Sequence, residues 1–120
     1  VQAVLLEPQL VSAAMFKGVC KNLDLFVSTR MHAAILSSLA PVPTIAINTQ
    51  RKLRGYMELI GQADMCLDLA QVNHEALLRL MEVGLSNKSE IMNALGIAKQ
   101  ERLFALDAYA AELRERLYVS

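Results

Sequence analysis

The sequence predicts an α/β fold: an open, doubly wound parallel sheet over residues 1–70, followed by a mostly helical tail over residues 71–120. Three observations predict it. Short apolar runs alternate with segments of helical period, which means parallel strands joined by right-handed crossovers. The runs are nearly continuous in apolar residues, which means a sheet covered on both faces. The connections between the segments are short.

Ala3-Val4-Leu5-Leu6 is the first apolar run, and Glu7-Pro8 stops it, so it reads as a buried strand. Residues 9–22 have a helical pattern: Val11, Met15 and Val19 form one row and Phe16, Cys20 and Leu23 a second. Leu25-Phe26-Val27 is a second strand, and Ser28 or Thr29 is expected to cap the helix after it. Met31, Ala34, Ile35, Ser38 and Leu39 mark the inner face of that helix, which ends at Pro41 and Pro43. Thr44-Ile45-Ala46-Ile47 is a third strand and Asn48-Thr49-Gln50 the loop after it. Leu53, Tyr56, Met57 and Ile60 make a clean helical stripe, with Gly61 in the position that closes a helix. Met65 to Leu69 is a fourth, shorter strand, which completes a β-α-β-α-β-α-β order.

Asn73 then caps a helix expected to stop at Gly84. Asn87 and Glu90 give a box-like start to the tail. The tail carries Leu103, Leu106, Ala110, Leu113 and Leu117 as one amphipathic stripe, with a break expected near Gly96. The stripe is expected to pack on this domain or on a missing N-terminal half. Four strands is small for such a sheet, and the chain opens on Val1 rather than Met, so it reads as a fragment of a longer protein.

At 120 residues the chain fits one domain that can bury a real core. Its hydrophobic fraction, 54%, is high for a soluble domain and suggests elements buried on both faces or a surface that meets another domain. Twelve basic and 12 acidic residues cancel, so charge gives no argument for nucleic acid or an anionic membrane as partner. No apolar run approaches the ~18 residues that cross a bilayer. Cys20 and Cys66 sit among apolar residues in no metal-like spacing. They read as buried free thiols in a reducing cytosol, which gives a cytoplasmic expectation. The six methionines fall on stripes and strands as core filler.

Ligands of open α/β sheets bind at the carboxyl ends of the strands. Three such corners are readable: Glu7 to Gln9, Ser28 to His32, and Asn48 to Lys52. None contains a glycine-rich phosphate loop. The second and third carry cations where a helix N-terminus offers unpaired N–H groups and the positive end of its dipole. Arg30 presents a planar fork for a carboxylate or phosphate, and Lys52 a point charge. Residues two apart on a regular helix point about 200° apart. Arg30 is barely inside its helix, however, so it and His32 can share a crevice. An imidazole there suits proton exchange near pH 7. The plainer alternative pairs Arg30 with a neighbouring carboxylate, packs His32 as an ordinary helix residue, and leaves Arg51, Lys52 and Arg54 as a solvated basic face.

Three stretches read together carry a family resemblance. Asp24 to Ile35 runs a strand into Arg30-Met31-His32-Ala33, an R-x-H-A motif. Val42-Pro43 leads into the strand Thr44 to Ile47, and Lys52 to Gly61 reads K-x-x-G-F/Y-M-x-x-x-G. In this order and spacing they resemble the polysaccharide pyruvyl transferase family over about residues 15–70. The family often has a Tyr three residues before the Lys; this chain has Thr49 there, which puts an aromatic contact from that loop in doubt. The resemblance implies a partial Rossmann-like sheet, the C-terminal half of a GT-B-like enzyme. It implies an activity that moves the pyruvyl carbons of phosphoenolpyruvate onto two sugar hydroxyls of a cell-surface polysaccharide as a ketal, with release of phosphate. His32 is then the catalytic candidate, with Arg30, Thr29, Lys52 and Asn48 binding substrate, and no metal or redox cofactor is called for. The implied partners are phosphoenolpyruvate, a saccharide acceptor and an N-terminal domain of the same protein, with a homo-oligomer compatible. Two other readings stay open: the donor-binding half of a GT-B glycosyltransferase or nucleotide-sugar enzyme, and a non-catalytic helical interaction module.

Overall fold

The structure, a computed structural model, describes residues 13–49 and 51–119; within them it describes the side chains of residues 15, 16, 18–49, 51–102 and 110–115. The expected strand at residues 3–6, the start of the helix at 9–22 and the corner Glu7 to Gln9 lie outside the described residues.

The elements are α1 (Ala13–Cys20), β1 (Phe26–Ser28), α2 (Met31–Leu39), β2 (Thr44–Asn48), α3 (Arg51–Leu59), β3 (Cys66–Asp68), α4 (His74–Ser86) and α5 (Lys88–Val119). Single 3-10 turns flank β3 at Ala63–Met65 and Leu69–Gln71. The strands are parallel, in the order β1-β2-β3, with Val27 opposite Ile45 and Asn48 opposite Asp68. Spatial order follows chain order. The reversal that a doubly wound sheet requires therefore does not occur among the described strands.

The central strand justifies the reading of a sheet covered on both faces, since Thr44, Ile45 and Ala46 are all buried. The edge strand β1 does not, because Val27 is 40% exposed. Of the two rows on α1, the Phe16–Cys20 row packs on the domain. It meets Leu23, Phe26, Ala40 and Val42, with the Phe16 and Phe26 rings edge to face at 5.5 Å. Met15 and Val19 of the other row are exposed. Burial pushes the thiols of Cys20 and Cys66 up, so both stay protonated in the core.

The main core gathers Ala34 of α2, Ile45 and Ala46 of β2, Leu53 and Met57 of α3, Cys66 of β3 and Leu95 of α5. The end of α3 is a Schellman closure. Gly61 takes φ 74°, its N–H bonds to Glu58 C=O at 3.1 Å, and Gln62 N–H reaches Met57 C=O at 2.8 Å. At the start of α4, Asn73 caps as expected, its side-chain oxygen accepting from Ala76 N–H at 2.8 Å.

Two glycines behave differently from the sequence expectation. Gly84 does not stop α4, which runs on to Ser86. It packs closely on its neighbours, where an added Cβ would lie 2.7 Å from Leu25 Cδ1 and 3.2 Å from Met65 Cε. Nor does Gly96 break α5, which is continuous over 32 residues. An isolated helical glycine costs only about 1 kcal/mol against alanine, and packing of the helix on the domain outweighs that.

The packed face of α5 is Ile91, Leu95 and Ala98 rather than the stripe expected further along. Of that stripe, Leu113 is 40% exposed, and the side chains of Leu103, Leu106 and Leu117 lie outside those described. Two cations complete the docking of α5. Lys99 Nζ donates to Leu39 C=O at 3.4 Å and Arg102 Nη2 to Leu59 C=O at 2.6 Å. These are the terminal carbonyls of α2 and α3, which lack helical partners and carry the negative ends of the helix dipoles. Among the described residues no helix is long and apolar enough to cross a membrane.

Candidate functional site

The corners β1–α2 and β2–α3 lie side by side at the carboxyl ends of adjacent parallel strands. Between them is a cleft of about 690 Å³ lined by Thr29, Arg30, Met31, His32, Thr49, Lys52 and Leu53. Four of the five residues that the sequence pointed to share it: Arg30, His32, Lys52 and Thr29. All four are exposed. Among the described residues, Arg30, His32 and Lys52 have no side-chain hydrogen bond and no ion-pair partner. Among the described residues, Arg30 therefore pairs with no carboxylate.

The first corner is built from its own backbone. Arg30 is the N-cap of α2 in extended conformation, φ −114° and ψ 136°, and no side chain caps the helix. Neither Ser28 nor Thr29 takes the capping role expected of it. Ser28 is buried, and its hydroxyl instead holds both backbone groups of Arg30, accepting from the N–H at 3.0 Å and donating to the C=O at 2.8 Å. That carbonyl also accepts the first helical bond, from Ala34 N–H at 3.1 Å. The first-turn N–H groups of α2 are thus left without a side-chain acceptor, beside a guanidinium. Such an arrangement of N–H groups and a guanidinium has the chemistry to hold an anion.

The second corner is held from a distance. α3 opens on Arg51 and Lys52, and Leu53 roots its first turn in the core at 2% exposed. Arg54 is not part of a solvated basic face: its Nε and Nη2 donate to Asp68 Oδ1 at 3.2 and 2.9 Å. The same oxygen accepts from Asn48 Nδ2 at 3.0 Å. Asn48, read from the sequence as a loop residue contacting substrate, ends β2 and turns its amide to Asp68; it is not among the residues lining the cleft. Its Oδ1 is buried and has no hydrogen-bond partner among the described residues. Asn48 first and Arg54 second hold the Asp68 carboxyl below the usual carboxylate range. The two corners touch where Thr49 Oγ1 donates to Thr29 C=O at 3.4 Å.

Asp68 and Arg54 are the residues the sequence reading missed. A signal existed. Asp68 ends β3 as Asn48 ends β2, and parallel register makes such residues neighbours, while the first turn of the intervening helix lies above both. No group of three or more metal-ligating side chains gathers among the described residues.

Comparison with known proteins bears out the family resemblance read from the corner motifs. Residues 2–51 match the family model described as polysaccharide pyruvyl transferase, a stretch that contains the whole Arg30–His32 corner and ends one residue before Lys52. Over 80 residues the chain is 31% identical to the amylovoran biosynthesis protein AmsJ of Erwinia amylovora. That alignment covers 66% of this chain and 19% of AmsJ, so the matched stretch spans about a fifth of that relative's length. No solved structure matches the chain.

Proposed function

We propose that this chain, as a relative of the polysaccharide pyruvyl transferases, is the donor-binding C-terminal portion of an enzyme of polysaccharide biosynthesis. The donor is phosphoenolpyruvate, and the product is a pyruvyl ketal on two hydroxyls of a saccharide acceptor. The observation that carries this reading is the gathering of Arg30, His32 and Lys52, all without partners among the described residues, on one cleft at the ends of two parallel strands. Phosphoenolpyruvate bears a carboxylate and a phosphate on three carbons. Arg30 and the first-turn N–H groups of α2 grip one of these groups, and Lys52 neutralises the other. In the reaction, a proton goes to the methylene carbon, one hydroxyl oxygen bonds to the central carbon, and the bond from that carbon to the phosphate oxygen breaks. A second hydroxyl closes the ketal. His32 handles one of the protons exchanged. The acceptor and the rest of the active centre belong to an N-terminal domain that completes a GT-B-like enzyme. Two protonated, unbridged thiols suit a cytoplasmic location.

Calorimetry on the full chain, with phosphoenolpyruvate against a nucleotide-sugar, tests the reading. Phosphoenolpyruvate is expected to bind, and Arg30→Ala to weaken that binding by about 1.5–3 kcal/mol, the range for hydrogen bonds to charged groups. Binding that ignores Arg30→Ala sinks the assignment. A preference for the nucleotide-sugar moves it to a glycosyltransferase.

A further inference from the structure

The arrangement at the end of β3 has no counterpart at the first corner. One carboxylate oxygen, Asp68 Oδ1, takes three donors from two elements: Asn48 Nδ2 at 3.0 Å, Arg54 Nε at 3.2 Å and Arg54 Nη2 at 2.9 Å. Asn48 is the last residue of β2 and Arg54 sits in the opening turn of α3. Asp68 therefore grips the chain just before and just after the segment 49–53, which carries Thr49, Lys52 and Leu53 to the cleft. Asp68 is not itself among the lining residues. Leu53 holds the buried side of that segment, and nothing among the described residues holds the Lys52 side chain. Lys52 lies in sequence between the two gripped residues, Asn48 and Arg54.

We propose that Asp68 is a positioning residue for the anion cleft, fixing the β2–α3 corner so that Lys52 faces the guanidinium and imidazole of the first corner. It touches no ligand and acts through Asn48 and Arg54. This rests on the reading of the cleft as an anion site. The placement of a cation to within a fraction of an ångström decides how much of its charge a small dianion feels, so a loose clamp is expressed as lost affinity rather than lost fold. Asp68 and Arg54 are partly exposed, with side chains 48% and 32% accessible. Exposed pairs of this kind contribute little to global stability, and a global effect is not expected.

The test uses the full chain and two probes, phosphoenolpyruvate and inorganic phosphate, in a double-mutant cycle of Asp68→Ala and Lys52→Ala. Asp68→Ala is expected to weaken anion binding about tenfold in the native background. In the Lys52→Ala background it is expected to weaken binding less than about twofold, because the residue it positions is gone. Asn48→Ala, which removes one of the two gripped points, shifts affinity in the same direction by less. Amide hydrogen exchange is read alongside: Asp68→Ala quickens exchange at Thr49 to Lys52 and leaves Ile45 and Met57 unchanged. Equal losses in both backgrounds, or no loss at all, overturn the proposal. If the native chain binds neither anion, the reading of the cleft falls, and exchange alone then decides the clamp: quickened exchange over 49–52 upholds it, and unchanged exchange overturns it.

Discussion

The two helices that open on the cleft are seated on the same sheet by opposite means. The inner face of α3 is large and apolar: Leu53, Met57 and, just past its end, Ile60 are buried. The inner face of α2 is small and partly polar: Ala34, Ser37 and Ser38 are the buried positions. Small residues let α2 lie close to β2, and buried hydroxyls do the work that methyl groups do under α3. Ser37 Oγ donates to Ala34 C=O at 3.1 Å and meets Thr44 Oγ1 at 2.7 Å, while Thr44 Oγ1 donates to Val42 C=O at 2.9 Å. Two hydroxyl hydrogens cannot serve three such contacts at once, so the pair shares them. Ser38 Oγ bonds to Tyr56 OH and so ties α2 to α3 directly. Burial first pushes the Tyr56 phenol up, partly opposed by that bond and by Arg102. Helices packed by apolar volume announce themselves in the sequence; helices packed by close approach and hydroxyl pairs do so only in part.

Removing volume is expected to separate the two helices most clearly. Leu53→Ala leaves a cavity in the core and costs about 2–5 kcal/mol, read as a fall in urea midpoint at constant slope. It also unseats the first turn that carries Lys52, so anion affinity falls with stability. Ser37→Ala is the matched change under α2, and its expected cost is about 1 kcal/mol, because Thr44 keeps its bond to Val42 C=O. Costs of equal size would erase the contrast.

The smallest effect is expected from acid, and it separates the two corners rather than the two helices. Asp68 has a depressed carboxyl, so its contribution is complete above its ordinary value of 3.8 and is lost as pH falls through its lower folded value. The charged or titratable groups that interact with it among the described residues are Arg54 on α3 and Cys66 on β3, both of which also feel Glu58 of α3; β2 supplies the uncharged Asn48. Backbone amide signals of Thr49 and Lys52 should therefore move in that acid window. Those of Arg30, held by the non-titrating Ser28 hydroxyl, should not. Matching shifts at both corners would show that the clamp is not local to the second.

Much of the fold was legible because its signals are local. Met57 and Ile60 fall on one stripe of α3, Gly61 sits where a left-handed residue closes that helix, and Asn73 stands one residue before α4. The Arg30 corner was legible for the same reason, since the bonds that hold the backbone of Arg30 lie between residues 28 and 34. Asn48 was read as a loop residue but ends β2, and the partner that holds its amide, 20 residues away, gave no local signal. Gly84 was read as a stop because glycine usually marks an end, whereas here its missing side chain admits Leu25 and Met65. Ser37 was passed over because it falls outside the series of positions that Met31, Ala34, Ile35, Ser38 and Leu39 follow.

The sequence by itself determined the alternation of strands and helices, the helix boundaries at Gly61 and Asn73, and the placing of a guanidinium and an imidazole at the end of a strand. These follow from periodicity and from hydrogen bonds closed within a few residues. Only the tertiary structure decided that Lys52 shares the cleft with Arg30, that Asp68 grips both ends of the loop between, and that the long helix docks through Leu95, Lys99 and Arg102. Those outcomes depend on parallel register and on which helix faces approach, and such long-range choices are settled by the packing of the whole domain rather than by any one segment.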